Sequence, residues 1–136
     1  MENRNIARYK INNVVIQYQN KAKYLGLTMD KGLTWKDHIQ EINKKASKRV
    51  GVLKYFSNKD KNIPQKYLIT LYKSLVRPII EYGSEIWGDI AKYNQTKLDS
   101  IQHRTLTKAL GVNRLSHRKD VNYEARVIPL ELRREQ

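Results

Sequence analysis

The sequence predicts a mainly α fold, a helical bundle that follows a short N-terminal β-hairpin. Long segments after residue 31 carry apolar residues three or four positions apart, the spacing of one helix face. Before them, two short segments are rich in β-branched and aromatic residues. The chain has 136 residues, of which 40% are hydrophobic, enough for one modest core. We therefore divide it into a polar segment 1–10, a hairpin 11–30 and a helical domain 31–136.

Two segments are predicted as the strands of the hairpin. "NVVIQY" (13–18) is short, β-branched and aromatic, and "KYLGLTMD" (23–30) has the same character. The polar "QNKA" between them supplies the turn. A lone hairpin is marginally stable in water, so this one is expected to lie against a sheet or a helix.

The first helix is predicted from Thr34, as its N-terminal cap, to about Tyr55. Asp37 in the first turn favours the positive end of the helix dipole. The apolar positions fall three or four apart and form one stripe. They are Ile39, Ile42, Ala46, Val50 and Leu53.

The middle of the chain is predicted as two helical segments. Pro64 suits the first turn of the first one, and Pro78 should kink or restart the helix. Gly83 lowers helix stability and permits close packing against a neighbour. The residues expected on the buried face are Tyr67, Leu68, Leu71, Leu75 and Val76.

A further helix is predicted over 95–110, ended by Gly111. Its inward residues are Leu98, Ile101, Leu106 and Leu110. Asp120 is expected to cap a short helix near 121–126, and Pro129 to open the last one.

Composition excludes several classes of protein. The sequence contains no cysteine, which excludes disulfides and thiolate metal sites. It has no apolar stretch long enough to span a bilayer and no apolar region near its start that would make a secretory signal. We therefore expect a nuclear or cytoplasmic protein that is not secreted and does not contact a membrane.

The net charge of +14 indicates a polyanionic partner, most commonly nucleic acid. Two groups of cations are candidate phosphate contacts, although each could be an ordinary solvated surface. The first group is Lys44, Lys45, Lys48 and Arg49, and the second is Arg104, Lys108, Arg114, Arg118 and Lys119. The large aromatic residues could stack on bases, but their places near the apolar stripes favour the core. They are Trp35, Tyr72, Tyr82 and Trp87.

Residues with catalytic potential are few and isolated. The three histidines lack partners at metal-ligand spacing, so no metal site is predicted. Glu81 and Glu85 share a helix face, an arrangement more typical of a solvated or salt-bridged surface than of a metal site. On these residues alone, the chain is not expected to be a self-sufficient enzyme.

Five segments in order resemble one family. They are "KYLGLTMDKGLTWKDHI" (23–39), "KKASKRVGVLKYF" (44–56), "LYKSLVRPIIEYGSEIWG" (71–88), "LDSIQHRTLTKALG" (98–111) and "EARVIPLELRR" (124–134). The succession resembles the reverse transcriptases of non-LTR (LINE-type, jockey-like) retrotransposons, in the part after the polymerase active site. The resemblance implies that Tyr24, Leu25 and Gly26 form a primer grip at the palm edge. It also implies that the helices form a thumb-like bundle that holds the RNA/DNA template–primer duplex through its backbone.

The chain also departs from that family. A polymerase of this kind needs an aromatic-x-Asp-Asp motif that holds Mg²⁺, and no Asp-Asp dipeptide occurs here. We therefore expect no cofactor in this chain and no catalysis by it alone. Its expected partners are the duplex and the rest of the palm and fingers, as for a fragment of an RNA-directed DNA polymerase. The alternatives are an independent nucleic-acid-binding module and a helical protein-interaction domain.

Overall fold

A computed structural model describes residues 9–134 of the chain. Most of the predicted polar segment 1–10 lies outside the described residues. Within them, four short strands precede seven α-helices, so the prediction of a mainly α fold with an N-terminal hairpin is confirmed.

The hairpin prediction was wrong in its details, because the region forms two hairpins. Strands β1 (Lys10–Ile11) and β2 (Val14–Val15) pair antiparallel, and β3 (Lys21–Tyr24) pairs with β4 (Leu27–Asp30). The two sheets are separate. Residues 23–30 are therefore not one strand but two, joined at Leu25 and Gly26. The segment predicted as the first strand likewise begins in a turn, since Asn12 and Asn13 have positive φ.

The β3–β4 hairpin is fastened to the helices at several points. Leu27 is buried, and Thr28 donates its hydroxyl hydrogen to Glu41 at 2.9 Å. Lys23 pairs with the same carboxylate at 3.1 Å. These contacts lower the pKa of Glu41, the Lys23 hydrogen bond first and the Thr28 bond next.

The turn after β4 is organised by Asp30. Its carboxylate accepts the backbone N–H groups of Gly32, Thr34 and Trp35 at 3.0–3.1 Å. These bonds, that of Thr34 first, lower the pKa of Asp30. Thr34 is not the N-cap residue that was predicted, although its Oγ1 accepts the N–H of Lys36, the first residue of the helix, at 3.5 Å. Its hydroxyl donates to Asp30 at 2.9 Å, and Trp35, with φ 58°, precedes the helix without a side-chain cap.

Two long helices form the centre of the bundle: α1 (Lys36–Phe56) and α5 (Lys92–Leu110). The predicted apolar stripe of α1 and the inward residues of α5 are all buried. Gly111, with φ 69°, ends α5, as predicted, and its N–H donates to the Lys108 carbonyl.

Shorter helices connect and cover this pair. They are α2 (Gln65–Leu71), α3 (Arg77–Glu81), α4 (Ser84–Trp87), α6 (Arg118–Glu124) and α7 (Leu130–Arg134). A 3₁₀ turn, Lys59–Lys61, follows α1. His117, not Asp120, precedes α6, so that predicted cap was wrong, whereas Pro129 does precede the last helix.

The chain passes from α2 to α3 through a π-helical turn, Tyr72–Val76. Pro78 lacks an N–H and its ring would clash with the carbonyl four residues earlier. The π-helical turn interrupts the α-helix just before it, and α3 begins at Arg77 with Pro78 in its first turn, in agreement with the predicted restart.

Gly83 separates α3 from α4, and it packs closely against a neighbour, as predicted. Gly83 has φ 69°, and a Cβ built there would lie 2.7 Å from Leu27 Cδ2. A glycine at this position lets β4 approach the turn between α3 and α4.

The core contains one polar chain of hydrogen bonds. Tyr72 is fully buried and donates to Gln102 Oε1 at 2.6 Å, and Gln102 donates to Asn122 Oδ1 at 3.1 Å. Burial raises the pKa of the Tyr72 hydroxyl. Trp35, Tyr72 and Trp87 are core residues, as favoured from the sequence, but Tyr82 and Tyr67 are 55% exposed.

Candidate nucleic-acid interface

An open groove lies where the C-terminal ends of α1 and α5 meet. Its volume is about 720 Å³. Five cationic side chains and no carboxylate line it: Lys54, Lys59, Arg104, Lys108 and Arg114. A groove lined by cations attracts a polyanion and raises its local concentration.

The geometry of the groove follows from how the two helices end. Gly111 turns the chain away after α5, and Ser57 closes α1 with its N–H on the Leu53 carbonyl. His103 Nε2 lies 3.2 Å from the Arg114 carbonyl and ties the following loop to α5. Helix C-termini carry partial negative charge, so cations there also stabilise the helix ends.

The structure divides the first predicted basic group, although all four of its residues are exposed. Helical residues follow one another at about 100° around the axis. Lys44 and Lys48 therefore share one ridge of α1 with Gly51 and Tyr55, which line the groove. Lys45 and Arg49 lie about 100° further round. Lys45 is close enough to Glu41 to lower the pKa of that carboxyl, a weaker effect than the hydrogen bonds.

The second predicted group is divided as well. Arg104, Lys108 and Arg114 line the groove. Arg118 and Lys119 line a different cavity of about 340 Å³ beside Asp99. Arg118 donates to Ser100 Oγ at 3.1 Å. Burial raises the pKa of Asp99, although the charges of Arg134 and Arg118 oppose the shift.

Three groove residues were missed from the sequence: Lys54, Tyr55 and Lys59. Tyr55 continues the ridge of Lys44 and Lys48 at helical spacing, so extending the stripe by two turns would have found it. Lys54 lies about 100° from Tyr55 around the helix axis. Lys59 lies in the 3₁₀ turn that follows α1. Its place depends on how the loop folds back, for which the sequence has no periodic signal.

Tyr24, Leu25 and Gly26 form the tip of the β3–β4 hairpin. Leu25 has φ 48° and Gly26 has φ 80°, the positive values that a two-residue type I′ turn requires. The side chains of Tyr24 and Leu25 are 65% and 72% exposed. Tyr82 donates its hydroxyl hydrogen to the Leu25 carbonyl at 2.8 Å. A Cβ on Gly26 would touch the Tyr82 ring at 3.4 Å.

The hairpin and the groove are joined along one ridge of α1. Glu41, which holds the hairpin, is followed at helical spacing by Lys44, Lys48, Gly51 and Tyr55. Fourteen residues separate Glu41 from Tyr55, which corresponds to about 21 Å along the helix.

The acidic and histidine residues in the described part of the chain do not assemble a metal site. Among residues 9–134, no group of three or more His, Asp or Glu side chains could hold a metal ion. Glu81 is paired with Arg77 and Arg133 at 2.9 and 2.7 Å, the salt-bridged arrangement considered from the sequence. His38 is buried, and its ring lies edge-on to Trp35 and Trp87. In the same part of the chain, no helix is long and apolar enough to cross a bilayer.

The sequence is similar to polymerases encoded by mobile elements. A probable RNA-directed DNA polymerase from transposon BS of Drosophila melanogaster is 30% identical over 100 residues, 74% of this chain. The RNA-directed DNA polymerase from mobile element jockey of the same species is 26% identical over 117 residues, 86% of this chain. A retrovirus-related Pol polyprotein from type-1 retrotransposable element R1 of Nasonia vitripennis is 29% identical over 101 residues, 73% of this chain.

The matched region is a small part of most of these relatives. The chain spans 11% of the transposon BS protein, 13% of the jockey protein and 30% of the Nasonia protein. No family model matches the sequence, and no solved structure matches it significantly.

Proposed function

The chain is homologous to the RNA-directed DNA polymerases of non-LTR retrotransposons, and we propose that it acts as a nucleic-acid-binding segment of such a polymerase. One observation carries the proposal. The exposed ridge Lys44–Lys48 leads into a groove lined by five cations and no carboxylate. Released counterions favour the contact of such cations with phosphates.

The ligand we propose is an RNA/DNA template–primer duplex. The duplex lies along α1 from the tip of the β3–β4 hairpin toward the groove, and its phosphates meet Lys44 and Lys48. A duplex with one RNA strand is A-like, so binding depends on its shape and backbone and not on base sequence. The helices would then serve as the thumb of the polymerase.

The hairpin tip is the proposed primer grip. Gly26 adopts a positive φ, and the Tyr82 hydroxyl donates a hydrogen bond to the Leu25 carbonyl. The exposed Tyr24 and Leu25 side chains are then free to contact the primer end. In a whole polymerase, Gly26→Val would force a β-branched residue into this conformation and should weaken primer positioning. Unchanged polymerisation by that variant would contradict the assignment.

The rest of a polymerase is the second proposed partner. In the β1–β2 hairpin, Ile11 and Val14 are 63% and 68% exposed. This apolar surface supports a contact with the palm and fingers of a whole enzyme. It equally favours the alternative function, a helical protein-interaction module. Mg²⁺ would serve the polymerase reaction, but no group among residues 9–134 fits it. We assign its binding to other parts of a whole polymerase.

Salt-dependent binding tests the proposed function. Contact with about five phosphates predicts a slope of log K against log salt near −4 to −5. A protein-interaction module should show no such binding. Fluorescence anisotropy with a labelled RNA/DNA duplex at several salt concentrations measures the slope.

Two matched double variants locate the surface. Lys44→Gln with Lys48→Gln removes two charges from the ridge, and Lys45→Gln with Arg49→Gln removes two charges from the other flank of the same helix. We expect the first pair to flatten the slope by up to about 1.8, and the second to change it less. Equal effects would show that binding follows total charge and would refute the ridge as the site.

A further inference from the structure

Tyr55 lines the basic groove, and its ring contacts Lys61. Its side chain is 61% exposed although it lines the groove. Lys61 Nζ lies 4.1 Å from the ring centroid and donates to the Tyr55 hydroxyl at 3.1 Å. An exposed aromatic ring among cations is the arrangement by which proteins stack unpaired bases.

Gly51 leaves space beside this ring. It lies in the interior of α1 one turn before Tyr55, where glycine destabilises a helix relative to alanine. Packing does not require it, because a Cβ built at Gly51 meets no atom within 4 Å. Because Gly51 has no side chain, a ligand in the groove can approach the helix backbone closely.

The size of the groove fits a single strand. Its volume of about 720 Å³ falls in the range that encloses a small ligand such as a nucleotide or two. A second cavity of about 500 Å³ shares Ser57, Asn58 and Lys59 with the groove and also has no carboxylate in its lining. The two cavities together form a path along which a strand could continue.

We propose that this groove binds an unpaired strand of nucleic acid, with one base stacked on Tyr55 and the neighbouring phosphates between Lys54 and Arg104. The proposal rests on the proposed function and adds to it. The duplex is held outside, along the ridge, and the groove takes a strand that is not paired. Stacking is tolerant of base identity, so DNA and RNA strands are both ligands of the site.

Binding of labelled oligonucleotides to the full chain tests the proposal. The probes are a dT 12-mer, a U 12-mer and a blunt RNA/DNA duplex of the same length. Tyr55→Ala should lower the affinity for both single strands by roughly 5- to 150-fold, the range measured for base–aromatic stacking. Its affinity for the duplex should stay within about twofold of the unchanged chain. Tyr55→Phe keeps the ring and should retain single-strand binding.

Tyr93 supplies a matched control. It is a 70% exposed tyrosine on α5 with Lys97 Nζ 4.3 Å from its ring centroid, but it does not line the groove. Tyr93→Ala should leave single-strand affinity unchanged. Gly51→Leu is a second test of the site, because its side chain enters the groove without meeting the core. It should also lower single-strand affinity while the chain stays folded.

The outcomes separate this inference from the function on which it rests. Equal losses in Tyr55→Ala and Tyr93→Ala, or an equal loss of duplex and single-strand binding in Tyr55→Ala, would overturn the stacking site. Salt-dependent duplex binding would still support the proposed function in either case. If the unchanged chain binds none of the three probes, both proposals are wrong.

Discussion

The two N-terminal hairpins differ in how they relate to the core. Both have a two-residue turn with positive φ at both positions, Asn12–Asn13 in one and Leu25–Gly26 in the other. Every residue of β1 and β2 is exposed, whereas β4 is buried at Leu27 and partly buried along the rest of its length. The comparison shows that turn geometry alone does not place a hairpin on a protein. Contacts between the hairpin and the helices place it.

The contacts of the β3–β4 hairpin combine an apolar anchor with polar ones. Leu27 enters the core beside Gly83, and Thr28 and Lys23 bond to Glu41 on α1. The β1–β2 hairpin has apolar side chains too, but they remain in solvent. An isolated two-stranded hairpin is marginal in water, so we expect the two hairpins to differ in stability.

Removing the anchor should have the largest effect. Leu27→Ala deletes a buried side chain that is 6% exposed. It should lower the free energy of unfolding by about 2–4 kcal/mol, the cost of a Leu→Ala cavity near the edge of a core. Leu25→Ala, two residues away but 72% exposed, should change it by less than about 0.5 kcal/mol. Urea unfolding measures both. Similar values for the two variants would mean that burial of Leu27 does not hold the hairpin.

Gly83→Ala tests the other side of the same contact. The alanine must adopt φ 69°, and its Cβ meets Leu27 Cδ2 at 2.7 Å. We expect a loss of about 1–3 kcal/mol from strain and displacement of Leu27. Gly51→Ala is the matched control, because a Cβ there meets nothing within 4 Å. It should raise stability by about 0.5–1 kcal/mol.

The double variant sharpens this test. With Leu27→Ala present, the methyl group at position 83 no longer meets a side chain, so only the backbone strain remains. The two losses should therefore sum to more than the loss of the double variant. Strict additivity in a double-mutant cycle would show that Gly83 and Leu27 act independently.

The sequence predicted the parts of the fold that depend on local periodicity. The apolar stripe of α1, from Ile39 to Leu53, is buried as predicted, because a long amphipathic helix repeats the same signal over several turns. The end of α5 at Gly111 was also predicted, since one residue type suits that backbone conformation. The hairpins were placed wrongly because short β-branched segments fit more than one register, and turns such as Asn12–Asn13 carry a weak signal.

The candidate site was only partly predictable for a different reason. Arg104 and Lys54 are 50 positions apart in the sequence and meet at the groove only because α1 and α5 end side by side. Charge density along the sequence identified the basic helices. It could not separate Lys44 and Lys48 from Lys45 and Arg49, because this distinction depends on which flank of α1 faces the groove.

Acid should weaken the β3–β4 hairpin through His38. Its Nδ1 lies 3.4 Å from the Thr28 N–H, while Nε2 is buried without a partner. Burial lowers the pKa of His38 from 6.5, the nearby Glu41 charge opposes the shift, and Lys45 and Lys23 reinforce it. The fold therefore favours the neutral ring. Its contribution to stability is full above about pH 6.5 and is lost as the pH falls through the lowered pKa.

Urea unfolding between about pH 7.5 and 5 checks this prediction. Asp30 and Glu41 have lowered pKa values, so their contributions are lost only in more acidic solution. His38→Gln can still accept from the Thr28 N–H but does not titrate, and it should flatten the pH dependence in this range. An equal decline in His38→Gln would assign the acid sensitivity to other groups.

The smallest effect is expected in the first hairpin. Val14 is 68% exposed and pairs only with Ile11 in a two-residue ladder. Val14→Thr keeps the β-branched shape and exchanges a methyl for a hydroxyl that water can bond. The free energy of unfolding should change by less than about 0.5 kcal/mol, because a solvated side chain gains little from folding. The same exchange of an apolar residue for threonine at Leu27 would bury an unsatisfied hydroxyl and should cost several-fold more.

Hydrogen exchange adds a second readout, since the amides of β3 and β4 should be protected and those of β1 and β2 should exchange almost freely. Equal protection of the two hairpins, or a measurable loss in Val14→Thr, would mean that the first hairpin is held by contacts of its own.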